Sequence, residues 1–225
     1  MDPFKNLGEA KYWVFSFIVR YFSRNATTEQ RFLLEDLIAR GSPDHRFLWP
    51  MEIVSDPSIS GYGYVMGLRT SRFKGIVDLM KRRANPSFRV LATSGYQLSD
   101  SYYQLHSSGM CYRDISFGNV FFDPDTGDVL ICDNDNVAVN RQGKGGVLGT
   151  PKFMAPEIVC GNSAPNRDTD LYSLAVLLFY MFIVHHPLEG QREADIRCLD
   201  LPAMNRIYGT NPLFIFDPDD DSNRP

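Results

Sequence analysis

A chain of 225 residues with 44% hydrophobic content is long enough to bury a substantial core, as one globular domain or two small lobes. Its formal net charge of −4 speaks against nucleic acid or an anionic membrane as a partner, and the basic run Lys81-Arg82-Arg83 reads as a solvated helix end. The four cysteines form no Cys-x-x-Cys pair, Met1-Asp2-Pro3 opens no signal peptide, and the apolar run from Leu171 to Val184 falls short of the ~20 residues that span a bilayer. A cytoplasmic protein with reduced thiols is expected.

In chain order, the β-branched and aromatic run from Lys11 to Phe22 predicts a strand ending at the polar turn Ser23 to Ala26. Thr27 with Gln30 makes a capping box for a helix whose apolar face is Phe32, Leu33, Leu34, Leu37 and Ile38, closed by Gly41 before Pro43. Trp49 to Val54 and Tyr62 to Met66 read as strands. Gly61-Tyr62-Gly63 is no phosphate loop, since Met66 stands where a third glycine is required. Helical periodicity covers Phe73 to Arg82 and Phe88 to Ser107. Phe121-Phe122, the polar turn Asp123 to Asp128, and Val129 to Cys132 then predict a hairpin that returns Asp133 to the neighbourhood of Asn119. A glycine-rich stretch, Gln142 to Gly149, follows, and Leu171 to Val184 reads as a core helix. Glu189 to Pro225 holds scattered apolar residues and ends in Asp217-Pro218-Asp219-Asp220-Asp221, read as a solvated acidic tail.

Three motifs carry chemistry: Y-R-D-I-S-F-G-N-V-F from Tyr112 to Phe121, I-C-D-N-D from Ile131 to Asp135, and G-T-P-K-F-M-A-P-E from Gly149 to Glu157. Phosphoryl transfer asks a protein mainly to orient a hydroxyl and to hold metal ions that neutralise the triphosphate. Asp114 is the candidate base, and Asn119 and Asp133 are candidate oxygen ligands for Mg²⁺. Each alone reads better as a turn former or helix cap. Their weight comes from order: Leu105-His106, Tyr112-Arg113-Asp114, Asn119, Asp133, Gly149-Thr150-Pro151 and Ala155-Pro156-Glu157 follow one another at suitable separations.

In that order the chain resembles a protein kinase, of the bacterial, eukaryotic-like serine/threonine class, divergent and truncated at both ends. The resemblance implies an α+β, bilobal protein kinase-like fold, with residues 1–67 as a reduced, β-rich N-lobe and 68–225 as a partial, helical C-lobe. It implies ATP and Mg²⁺ as cofactors, and a protein substrate or regulatory partner. Met66, Gly67 and Leu68 would meet adenine at the hinge, and Glu35 would pair with a strand lysine that holds the phosphates. Asp170 would tie its helix to the catalytic loop, and Gly149 to Glu157 favours a protein over a small-molecule substrate.

Several positions depart from the family pattern. No G-x-G-x-x-G precedes the first strand, and the lysine position falls near Ile18-Val19-Arg20, leaving Arg20 or Lys11 as unequal substitutes. Tyr112 replaces a histidine, Ser116 a lysine, and Asn134-Asp135 a Phe-Gly pair. No Ser, Thr or Tyr lies between Asn136 and Gly149, which excludes phosphorylation there and leaves Arg113 without such a partner; Glu157 lacks its distal arginine. Two readings follow, an active protein kinase and a pseudokinase or kinase fragment that binds a partner, with a small-molecule phosphotransferase third.

Overall fold

The computed structural model describes residues 17–22, 27–55, 57, 61–139 and 148–225. Lys11 and the glycine-rich stretch up to residue 147 lie outside them. The fold is α+β, with helices packed against small antiparallel sheets. Strand β1 (Phe17–Phe22) is followed by α1 (Thr28–Arg40), β2 (Glu52–Val54) and β3 (Tyr62–Gly67). The sheet order is β1-β3-β2, with Phe17 opposite Gly67 and Arg20 opposite Tyr64. The capping box forms as expected: Gln30 N–H donates to Thr27 Oγ1 at 3.2 Å, and Thr27 N–H to Gln30 Oε1 at 3.3 Å. Leu34 and Leu37 are the buried residues of α1. The strand expected from Trp49 contracts to β2, because Trp49 is instead buried, its indole N–H donating to Leu37 O at 2.9 Å near the end of α1.

The expected helix from Phe73 to Arg82 is also shorter. Lys74–Gly75 forms β4, and α2 covers only Ile76–Met80 before Arg82 turns left-handed at φ 54°. Pairing with β6 (Val120–Phe122) captures Lys74 and Gly75, so local helical periodicity yields to a sheet edge. Helix α3 (Phe88–Ser107) buries Ser94, Gly95, Leu98, Ser101, Tyr102 and Leu105, one stripe at helical spacing. Strand β5 (Met110–Cys111) leads into the loop carrying Asp114. Strand β6 then pairs with β7 (Val129–Ile131) as the predicted hairpin. Residues 46–48 extend that sheet: Leu48 N–H donates to Ile131 O, and Ile131 N–H to Arg46 O, both at 2.8 Å. Arg46 Nη1 fixes this segment to α3 through Asp100 Oδ2 at 2.9 Å.

The hairpin turn depends on Gly127, left-handed at φ 83°. A Cβ there would lie 2.8 Å from both Val90 O and Thr93 Cβ on α3. Gly127→Ala is therefore expected to cost about 1–3 kcal/mol through backbone strain and overpacking. The urea midpoint of unfolding checks this, and an unchanged midpoint would show that the turn shifts freely.

After Asp133 come a single 3₁₀ turn (Asn134–Asn136) and β8 (Ala138–Val139), which pairs with β5. Helix α4 (Pro156–Val159) follows, and α5 (Arg167–Ile183) completes the central core. Gly95 lets α3 approach α5: a Cβ would stand 3.2 Å from Phe182 Cζ. Helix α6 (Gln191–Ala194) follows, and α7 (Leu201–Asn205) and a π-helical turn, Arg206–Thr210, form a small cluster with Leu188 and with Val159 of α4, around Ile207 and Tyr208.

The tail is only partly the solvated segment expected from its composition. Asp219, Asp220 and Asp221 are exposed, but Asn223 is 2% exposed, donating to Leu188 O at 3.1 Å and Leu213 O at 2.7 Å. Gln191 N–H also donates to Arg224 O at 2.9 Å. An amide that satisfies two buried carbonyls carries no periodic signature, so an acidic composition concealed it. No helix among the described residues is long and apolar enough to cross a membrane.

Candidate active site

The site is built from four pieces of chain that α5 and the β6–β7 hairpin bring together. Asp170, in the first turn of α5, is 2% exposed and accepts three hydrogen bonds: Tyr112 N–H at 2.6 Å, Arg113 N–H at 2.8 Å and His106 Nε2–H at 3.0 Å. Arg113 is left-handed at φ 75°, a conformation that costs a non-glycine residue about 1–3 kcal/mol and needs support from its surroundings. The two successive amides converging on one carboxylate supply that support. The following residue, Asp114, is thereby aimed from a fixed loop.

Asp114 receives Thr150 Oγ1–H at 2.6 Å on Oδ1 and Asn119 Nδ2–H at 3.1 Å on Oδ2. Asn119 Nδ2 also donates to Asp114 O at 2.8 Å. With its amide nitrogen committed to Asp114, Asn119 has its carbonyl Oδ1 left for a cation. Asp133 follows β7 in a left-handed conformation, φ 59° and ψ 43°. Cys132 N–H donates to Asn119 O at 2.8 Å, so backbone pairing holds the Asn119 and Asp133 segments side by side.

Both ends of the Asp133 segment are anchored by residues at the departures from the family pattern. Tyr112 is fully buried and donates its hydroxyl to Cys132 O, and its ring packs edge-on to Tyr102 at 5.4 Å. Burial raises the Tyr112 hydroxyl well above its ordinary pKa, so it remains a donor. Asn134, 1% exposed, donates to Leu48 O at 2.8 Å and Ile131 O at 3.2 Å, and Tyr64 OH donates to Asp135 Oδ1 at 3.3 Å. Hydrogen bonds thus hold the chain where the family pattern has a packed phenylalanine. Neither anchor was legible beforehand, since a polar substitution shows a loss without showing its replacement.

A cleft of about 450 Å³ opens beside these residues, lined by Leu48, Met66, Gly67, Leu68, Arg69, Gly118, Asn119, Phe121, Cys132 and Asp133. Met66, Gly67, Leu68, Asn119 and Asp133 therefore meet in one cavity, and Asp114 adjoins it through Asn119. Glu35 does not line it: its carboxylate takes Arg31 Nε–H at 2.9 Å one turn away on α1, with the side chain 43% exposed. The register of α1 turns Leu34 and Leu37 inward and leaves Glu35 at the margin. Leu48 and Phe121, absent from the sequence-derived set, supply apolar walls, and a Cβ on Gly67 would press Leu48 Cδ2 at 3.1 Å. Arg69 lies over the Phe121 ring at 4.2 Å. Burial pushes the Cys132 thiol up to about 11, against the pull of Arg69, so it is a neutral wall and no nucleophile at pH 7.

The cavity suits a planar base among aliphatic and aromatic walls, and its lining also offers an amide oxygen and a carboxylate for a hard cation. No cluster of three or more His, Cys, Asp or Glu side chains able to hold a metal occurs among the described residues.

The protein kinase domain family matches residues 65–223. Among curated proteins, the chain is similar to protein kinase gsk3 of Schizosaccharomyces pombe, 27% identical over 127 residues, covering 53% of this chain and 33% of the relative. It is also similar to the DNA damage-responsive serine/threonine-protein kinase RqkA of Deinococcus radiodurans, 34% identical over 116 residues, covering 49% of this chain and 17% of the relative. Cell cycle serine/threonine-protein kinase CDC5/MSD2 of Saccharomyces cerevisiae is 30% identical over 123 residues, 52% of this chain and 17% of the relative. The chain spans a third or less of the length of these three relatives. A family match that begins in β3 and runs through the Asp114 loop, Asp133 and α5 covers most of the molecule, and this protein belongs to the protein kinase domain family.

Proposed function

We propose that the protein transfers the γ-phosphate of ATP, with Mg²⁺, to a serine or threonine hydroxyl of a protein substrate. The observation that carries this reading is that Asn119 and Asp133 line one cleft with Met66, Gly67 and Leu68, and that Asn119 also donates to Asp114 at 3.1 Å. Two of the relatives are named serine/threonine-protein kinases, which supports an aliphatic hydroxyl as acceptor. Asp114 would orient the substrate hydroxyl and take its proton as the new O–P bond forms and the bond from the γ-phosphorus to ADP breaks. Asn119 Oδ1 and the Asp133 carboxylate would hold Mg²⁺, which when bound neutralises charge on the phosphate oxygens. Leu48 and Phe121 would exclude water around the base.

A kinase-fold binding module that transfers nothing is favoured by one observation, the engagement of Glu35 by Arg31 of its own helix, away from the cleft. Transfer of labelled γ-phosphate to a generic basic protein, with hydrolysis to phosphoamino acids, separates the two. Phosphoserine or phosphothreonine is the expected product, and a folded protein that binds Mg·ATP without transfer would support the binding module. Asp133→Ala is expected to weaken Mg·ATP binding by about tenfold or more in calorimetry, the loss typical of a removed metal ligand. An unchanged titration would remove Asp133 from the site.

A further inference from the structure

Lys152, two residues beyond Thr150, has φ 75°, a left-handed backbone at a non-glycine residue, and something must hold it. Its Nζ lies 2.8 Å from Glu189 Oε1, and the same oxygen accepts Tyr208 OH at 2.6 Å. Its carbonyl accepts His186 Nε2–H at 2.9 Å, while His186 Nδ1 accepts Leu188 N–H at 3.0 Å. That pairing fixes the neutral tautomer with hydrogen on Nε2, consistent with burial lowering the His186 pKa. Burial works against ionising Glu189, yet the hydrogen bonds from Lys152 and Tyr208 bring its carboxyl below the ordinary value. The next residue, Phe153, packs edge-on against Phe117 of the Asp114 loop at 4.8 Å, and its carbonyl accepts Ser173 Oγ–H at 2.7 Å. Thr150, at the other end of this turn, donates to Asp114. Glu157, on the same segment, makes no ion pair among the described residues.

We infer that Glu189 is a positioning residue: through Lys152 it clamps the turn 149–153 with Thr150 against Asp114, without phosphorylation. The stretch between Asn136 and Gly149 has no Ser, Thr or Tyr to carry phosphate, so a charge that helps to order the segment after it must be a permanent one. Glu189, held by Tyr208 and placed beside Lys152, is that charge. The effect on turnover rests on the protein kinase reading, whereas the clamp itself is readable by hydrogen exchange alone.

The test compares the wild-type chain with Glu189→Gln, Lys152→Met and the charge swap Lys152→Glu/Glu189→Lys. Amides of residues 149, 150 and 152–155 are expected to exchange about tenfold faster in each single variant, as for a partly exposed pair that supports a local structure. In the swap they should return to within about threefold of wild type. In parallel, kcat should fall in the single variants and recover in the swap, with KM for Mg·ATP unchanged. Tyr208→Phe keeps both charges, and is expected to give a smaller acceleration confined to the same amides. Unchanged exchange in both single variants, or faster exchange that the swap fails to reverse, would overturn the clamp. The expected exchange pattern in a protein that transfers no phosphate would uphold the clamp and reject the kinase reading.

Discussion

Asp170→Ala is expected to destabilise the protein by about 3–5 kcal/mol, measured by urea denaturation. The carboxylate is 2% exposed and accepts from two backbone amides and His106. Removing the acceptor strands those donors in a site too dry for water to serve them fully, and hydrogen bonds to a charged group contribute about 1.5–3 kcal/mol each before relaxation. The left-handed conformation of Arg113 then loses its compensation, so the Asp114 loop should loosen before the rest of the domain. Asp170→Asn keeps an amide oxygen and should recover part of the loss. A change below about 1 kcal/mol for alanine would mean that other contacts hold the loop.

Asp114→Asn should reduce phosphoryl transfer by about 10²–10⁴-fold, the usual contribution of a positioned general base. The substitution retains an oxygen that can accept from Thr150 or Asn119, so the loop geometry at 2.6 and 3.1 Å has a partner to keep. It removes the charge that takes the proton. Mg·ATP affinity is expected to stay within about threefold, since Asn119 Oδ1 and Asp133 are untouched. Single-turnover kinetics with calorimetry on the same protein checks both halves. Equal turnover would exclude Asp114 as the base, and a parallel loss of binding would place it among the metal ligands.

The sequence made the site legible where chemistry coincides with local order. The helix cap at Thr27, the long helix from Phe88, and the hairpin that carries Asp133 back to Asn119 all have periodic or turn signatures, and the structure forms them. Glu35 had a helix of the right kind around it, but not a partner; that depends on where α1 faces, and Arg31 at i−4 takes the carboxylate.

By itself, the sequence determined the order of the motif residues, and hence the family, because residue identity and spacing are local properties of the chain. Only the tertiary structure decided what supports them. Tyr112 reaches Cys132, Asn134 reaches Leu48, Asp170 reaches the Arg113 amide, and Glu189 reaches Lys152, each across a long separation in sequence. The first three pairings satisfy buried donors and acceptors, a requirement set by burial, and burial is created only when the chain packs.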